Sequence, residues 1–162
     1  MDIERMEVVG INVKDLPKAQ AFFAGLLGLE FRDYGLGTDV PLASRGGEAP
    51  DPSRLSAGAA HVAIDSRGFI ELIQTTPAAA AEGFRNIHFK VRDIEAAMAR
   101  MRAMGVRMVA DLTVGGLREV IYDPEQLYGI RLCLVEYAAA TMIEAVLGPA
   151  AADGPPGAGD PA

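Results

Sequence analysis

The sequence has no tryptophan, one cysteine and two histidines among its 162 residues. A single thiol excludes an internal disulfide and any metal site built from several thiolates. Without tryptophan, and with aromatics at 6%, the chain is poorly supplied with stacking platforms for a large planar ligand. Positive charge is short as well: 15 Lys and Arg stand against 22 Asp and Glu, a net charge of −7 at pH 7, and no basic cluster offsets it. Binding to a phosphate backbone is therefore disfavoured, and no nucleic-acid partner is expected. No apolar run approaches the roughly 20 residues that span a bilayer, so no membrane partner is expected. The opening stretch "MDIERMEVV" carries early acids and lacks the apolar core of a secretory signal; the expected compartment is cytoplasmic. Neither the Walker pattern nor GxGxxG occurs, and no Ser–His–Asp order is indicated.

Half of the residues are hydrophobic and 23% are charged, a globular balance in a chain long enough for one domain or two small modules sharing a core. The second arrangement is written into the sequence as a repeat. Sliding the chain by 78 positions sets "VVGINVKDL" (8–16) on "NIHFKVRDI" (86–94). Val9 meets Ile87, Ile11 meets Phe89, Val13 meets Val91 and Asp15 meets Asp93; with one residue of slack, Gly28 meets Gly105. Each copy reads as a half-buried strand, an aspartate positioned to cap a helix, the helix, and a glycine able to end it. Pro17 suits a first helical turn, where no donor is lost.

Strand candidates follow each helix: 59–64 and 69–74 in the first half, joined by the turn "DSRG", then 107–111, 118–123 and 130–137 in the second. The predicted organisation is a first βαβββ module over 1–77, a linker over 78–85 and a second module over 86–137. An additional helix over 138–148 and a disordered tail over 149–162 complete it. The added helix, with Met142, Ile143, Val146 and Leu147, could cover a sheet edge, join a dimer interface or pack on its own chain. The Gly-, Pro- and Ser-rich segment 35–58 reads either as a mobile lid or binding element or as a disordered insertion.

Paired βαβββ modules carrying "VGINVKDLPKAQAFFAGLLGLEF", "GFIELIQ", "IHFKVRDIEAAMARMRAMGV", "GGLREVIYDP" and "GIRLCLVEY" resemble the vicinal oxygen chelate superfamily. This group includes glyoxalases, methylmalonyl-CoA epimerases, extradiol dioxygenases and bleomycin-resistance proteins. The resemblance implies an α+β fold in which the two modules form one curved mixed sheet around a cleft, and it implies a homodimer. It also implies four metal-ligand positions on the cleft floor. Here they fall on Val8, Glu71, Asn86 and Cys133, where the usual residues are His, Glu, His or Glu, and Glu. Valine offers no lone pair, and the remaining amide, thiol and carboxylate suit neither Zn²⁺ nor Mg²⁺. No metal and no other cofactor is expected.

His88 stands two residues beyond Asn86 and so shares its strand face, about 7 Å further along. The same parity selects Asn12 with Val8 and Gly10 on the first strand, Lys90 on the strand of His88, and Arg131 and Val135 around Cys133. The face of His61 depends on whether the turn after Ile64 is even or odd, which the sequence leaves open; a relocated metal site from His61, Glu71 and His88 follows only from one parity. Glu71, among Phe69, Ile70, Leu72 and Ile73, is either a structural carboxylate paired with Arg131 or Lys90, or a base whose basicity burial raises. His88 is either a hydrogen-bonded core histidine or an acid. Cys133, between two leucines, reads as apolar filling before it reads as a nucleophile. "GGLRE" (115–119) is most simply a turn before a strand, though Arg118 at the cleft edge could meet an anionic substrate.

Two functions follow. The first is a metal-independent enzyme that moves a proton beside a carbonyl (an isomerase, epimerase or lyase) on a small, largely apolar molecule. In it Glu71 is the base, His88 the acid or oxyanion donor and Asn86 a second donor, with Asn12, His61, Arg118 and Cys133 as further ligand-binding candidates. The alternative is a non-catalytic small-molecule binder of the drug-sequestering kind.

Overall fold

The structure, a computed structural model, describes residues 1–46, 60–78 and 81–149. Residues 47–58 of the 35–58 segment together with residue 59, 79–80 of the linker and the expected tail from 150 onward lie outside the described residues.

The repeat builds two equivalent units. In the first, β1 (Ile3–Asn12) leads to α1 (Leu16–Leu27), then β2 (Phe31–Gly35), β4 (Ala60–Asp65) and β5 (Ile70–Thr75). In the second, β6 (Gly83–Val91) leads to α2 (Ile94–Ala103), then β7 (Met108–Val114), β8 (Leu117–Tyr122) and β9 (Arg131–Glu136). The helix starts are set by their aspartates: Asp15 accepts from the Lys18 N–H at 3.0 Å and Asp93 from the Ala96 N–H at 2.9 Å. Gly28 ends α1 at φ 65°, a left-handed conformation that only glycine adopts without strain. A second tie recurs in both units. The Leu16 N–H is taken by Gln74 Oε1 at 2.8 Å, and the Ile94 N–H by Glu136 Oε1 at 3.0 Å, so each helix start is bound to the last strand of its own module.

All nine described strands join one curled mixed sheet in the order β2-β4-β5-β1-β6-β9-β8-β7-β3, where β3 is Leu42–Gly46. The modules meet within the chain, through antiparallel β1 and β6; β1 is parallel to β5, and β6 to β9. Two strands fall where the sequence pattern was weak. β2, directly after α1, is the second strand of the first module and completes its βαβββ count. β3 comes from the Gly-, Pro- and Ser-rich segment and crosses to pair with β7 at the far edge of the second module. Part of that segment is thus sheet edge, a pairing that its composition does not announce.

Alternation along the strands divides the apolar residues between two faces. Leu72 and Ala63 pack under α1, and Val120, Tyr122 and Leu134 under α2. Val8, Val62, Ile64, Ile73, Leu112, Ile121, Cys133 and Val135 line the concave face. That face would be an open trough but for α3 (Met142–Leu147), a helix of six residues capped by Thr141, whose Oγ1 accepts from the Glu144 N–H at 3.1 Å. So short a helix is marginal by itself and forms by packing. Met142, Ile143, Ala145 and Val146 are buried in the concave core of the same chain. No helix among the described residues is long and apolar enough to cross a membrane.

Candidate functional site

The concave face holds a cavity of about 50 Å³ whose polar wall is made by Tyr34, Glu71, Arg85, Asn86, His88 and Glu119. Its apolar wall includes Val62, Ile73, Leu112, Leu117, Met142 and Val146. Glu71, His88 and Asn86, selected from the sequence, therefore come together. Each is almost wholly buried: Glu71 is 7%, His88 3% and Asn86 2% exposed.

Gly10 prepares the floor. It pairs with Glu71 on one side and Asn86 on the other, and a Cβ placed on it would lie 1.7 Å from Asn86 Oδ1. Any side chain there would drive the Asn86 amide off its seat. Asn86 Nδ2 donates to Cys133 Sγ at 3.5 Å, which makes Cys133 a buried support under the floor. Arg85 enters by an irregularity. Gly10 pairs with Asn86 but Ile11 with Phe84, so Arg85 bulges out of register and joins Asn86 on the cavity wall. Its Nη1 donates to Asn12 Oδ1 at 2.6 Å, and through this bond Asn12 reaches the site.

Two acids acquire partners that the sequence reading missed. The Tyr34 hydroxyl donates to Glu71 Oε1 at 3.2 Å, and burial, together with the adjacent Glu71, pushes the Tyr34 phenol well above its ordinary value, so it stays a donor. His88 Nε2 lies 3.1 Å from Glu119 Oε1. Burial alone would lower the His88 pKa, but Cys133 and Glu119, by charge and hydrogen bond, outweigh it and hold the imidazole well above its ordinary value. Among the described residues, neither His88 Nδ1 nor Asn86 Oδ1 has a hydrogen-bond partner. Glu119 was legible in principle: in "LREVIY" it shares the parity of Leu117 and Ile121, the same signal that marked Glu71. Tyr34 sits on β2, which the sequence reading did not place.

Two expected ligand-binding residues fall elsewhere. His61 is exposed and turned from the cleft: Ile64 pairs with Glu71, and on β4 the cleft face is Ala60, Val62 and Ile64, so the odd position between them points out. This also removes a metal site from His61, Glu71 and His88. Arg118 lies on the helix-facing side of β8, the parity opposite to Leu117 and Glu119. Its Nε and Nη2 donate to Asp111 at 3.0 and 2.8 Å, and its Nη1 to Glu95 of α2 at 2.6 Å. Lys90 is held by Glu4 at 3.4 Å and lies 4.2 Å over the ring of Tyr137.

This sheet, curled around a polar-floored cleft, is the paired βαβββ architecture of the glyoxalase type. The chain belongs to the Glyoxalase/Bleomycin resistance protein/Dioxygenase superfamily, which it matches over residues 9–122, more than half its length. No curated protein matches it in sequence. Among solved structures it is similar to methylmalonyl-CoA epimerase from Streptomyces coelicolor in complex with 2-nitronate-propionyl-CoA. That likeness has 21% identity, covers 85% of this chain and 100% of the other, and has a TM-score of 0.62. It is also similar to methylmalonyl-CoA epimerase from Mycobacterium tuberculosis, with 20% identity, 85% and 90% coverage and a TM-score of 0.61. A hypothetical protein from Bacillus halodurans has 19% identity, 85% and 96% coverage and the same score of 0.61. At these identities the likeness establishes the fold.

The four metal-ligand positions of the resemblance do not fit a hard divalent cation. Val8 is 1% exposed and packed in the apolar core, and Asn86 Nδ2 faces the Cys133 sulfur rather than an ion. Among the described residues, one trio of ligand-type side chains does converge: His88, Glu119 and Cys133 bring a nitrogen, an oxygen and a sulfur within 4.8 Å of one another. A nitrogen–oxygen–sulfur set has borderline-soft character of the kind Zn²⁺ accepts. In the structure the His88–Glu119 hydrogen bond already joins two of its members.

Proposed function

We propose that the protein is a metal-independent enzyme that transfers a proton beside a carbonyl, as an isomerase, epimerase or lyase, on a small and largely apolar molecule. The observation that carries this reading is the buried His88 Nδ1, left without a hydrogen-bond partner among the described residues, on a side chain that lines the same cavity as Glu71. Tied through Nε2 to Glu119 and favoured in its charged form, His88 has an N–H at Nδ1 to give to a developing enolate oxygen. Glu71, oriented by the Tyr34 hydroxyl, is the base that takes the proton from carbon. Asn86 carries two hydrogens on Nδ2, of which Cys133 takes one; the other is a second donor to the same oxygen. These donors do electrostatically what a cation does when it polarises a carbonyl. Structural likeness to proteins named as methylmalonyl-CoA epimerases, whose substrate carries its reacting carbon beside a carbonyl, supports the same chemistry.

The apolar wall of Val62, Ile73, Leu112 and Leu117 supports a second reading, a non-catalytic binder. One variant separates the two. Under the enzymatic reading, Glu71→Gln lowers the rate of solvent-deuterium incorporation into 2-substituted acyl thioesters, methylmalonyl-CoA among them, by about 100-fold or more while the thioester still binds. A Glu71→Gln protein that exchanges deuterium as fast as wild type removes the enzymatic reading; a wild-type protein that binds the thioesters without exchange favours the binder.

A further inference from the structure

The cavity over Glu71 and His88, at about 50 Å³, has room for a few water molecules, whereas sites for organic ligands commonly run to roughly 300–1,000 Å³. The missing space is filled by the chain itself. Met142 and Val146, one turn apart on α3, project into the cavity. Beside α3 lies a second cavity of about 470 Å³, lined by the apolar Val8, Ile64, Phe69 and Met142 and by the charged Arg5, Glu7 and Arg67. Met142 is a wall of both. With α3 lifted, the two spaces would form one groove running along the concave face to Met6 and Val8 of the central strand β1.

The seat of α3 is a close contact of backbone on backbone. "GGLRE" supplies it: the Gly116 N–H donates to the Ala145 carbonyl at 2.7 Å. A Cβ on Gly116 would lie 3.0 Å from that oxygen, and one on Gly115 would lie 2.4 Å from the Val146 carbonyl oxygen. The two glycines thus admit the α3 backbone, which the Gly116–Ala145 hydrogen bond holds in place. Before α3 the chain is pinned at Tyr137, whose hydroxyl donates to Glu7 at 2.5 Å and accepts from Arg5 at 2.9 Å. Three alanines, 138–140, separate this anchor from the Thr141 cap, and the last is tied in turn: its N–H donates to Glu144 at 3.1 Å and its carbonyl accepts from Arg5 at 3.5 Å.

We propose that α3 is a displaceable plug occupying the ligand groove, and that the natural ligand carries an apolar arm which takes the place of Met142 and Val146. This rests on the proposed function for the position of the reacting end and adds the class of substrate: a molecule with a flexible apolar chain, reacting at the end that reaches Glu71. The plug keeps water and wrong ligands from the buried polar floor, and binding of the arm opens it.

The test uses decanoate as an apolar-arm probe and butyrate as a short control, on the full chain. Hydrogen–deuterium exchange of the α3 amides, from Ala145 to Gly148, is expected to accelerate as decanoate saturates and to stay unchanged with butyrate. Thr141→Ala, which removes the helix cap, is expected to tighten decanoate about fivefold, the factor by which losing a cap shifts a two-state closure; Thr141→Ser keeps the cap and the wild-type affinity. Gly116→Ala, which crowds the seat, is expected to act in the same direction. If decanoate does not bind, or binds while the α3 amides stay protected and neither variant tightens it, the plug is a fixed wall and the proposal is overturned. None of these readings involves turnover, so their failure is distinct from an active Glu71→Gln enzyme, which would overturn the proposed chemistry and leave the plug intact.

Discussion

His88 Nε2 lies 3.1 Å from Glu119 Oε1, with both side chains buried on the floor of one cavity. Folding raises the histidine's pKa, burial opposing and Cys133 and Glu119 prevailing, so the folded state binds a proton more tightly than the unfolded chain. The stabilisation this gives is complete below about pH 6.5, the unfolded value, and is lost as pH rises from there through the raised folded value. The expected result is a urea midpoint that falls as pH increases above about 6.5, with a slope of at most about 1.4 kcal/mol per pH unit from this group. Glu119→Gln should flatten that dependence. A midpoint that rises through the same window is the contrary result.

Arg118 binds Asp111 through two nitrogens and Glu95 through a third, on the helix-facing side of the sheet. Arg118→Ala leaves Asp111, which is 5% exposed, with the longer Arg45 contact of 3.7 Å as its remaining ion pair among the described residues. Removing one partner of a buried pair is costly, and the expected loss is about 2 kcal/mol of unfolding free energy. Ligand affinity should hold, since the side chain is on the face away from the cleft. Chemical denaturation beside a thioester titration checks both; lost affinity with unchanged stability would return Arg118 to the cleft edge.

Elemental analysis addresses the metal positions. With Val8 at the first of them and the Asn86 amide turned to a sulfur, purified protein should carry far less than one divalent metal per chain, and a chelator should leave activity unchanged. Near-stoichiometric Zn, Mn, Ni or Fe, with activity lost to chelation, is the opposite outcome. It would direct attention to His88, Glu119 and Cys133.

The homodimer that the resemblance implies has a candidate surface on α1, where Phe22 and Leu26, one turn apart, are both exposed. Light scattering is expected to give twice the chain mass for wild type and a shift toward the monomer for Phe22→Glu. A monomeric wild type would dispose of the idea.

Much of this was readable along the chain. The 78-residue offset between "VVGINVKDL" and "NIHFKVRDI" yielded the paired modules, because strand alternation, aspartate caps and terminal glycines are short-range and recur in each copy. Parity then gathered Glu71, Asn86 and His88 and carried Asn12 to within one hydrogen bond of the site. It failed at Arg85, which reached the cavity through a bulge, and the face of His61, which the sequence left open, was decided outward by the pairing of Ile64 with Glu71. β3 was hidden because an edge strand needs only one partner, and its partner β7 lies in the other module, far along the sequence.

What the sequence by itself determined is the set of elements, their pairing into two like modules, and the acid and imidazole on the inner face; each follows from the hydrogen-bonding and packing habits of residues close together in the chain. Tertiary structure alone decided the partners of those groups, Tyr34 for Glu71 and Glu119 for His88, and the seating of α3 against Gly115 and Gly116. Those contacts depend on how strongly the sheet curls and on which distant strands face one another across it, a geometry fixed only when the whole sheet closes around its core.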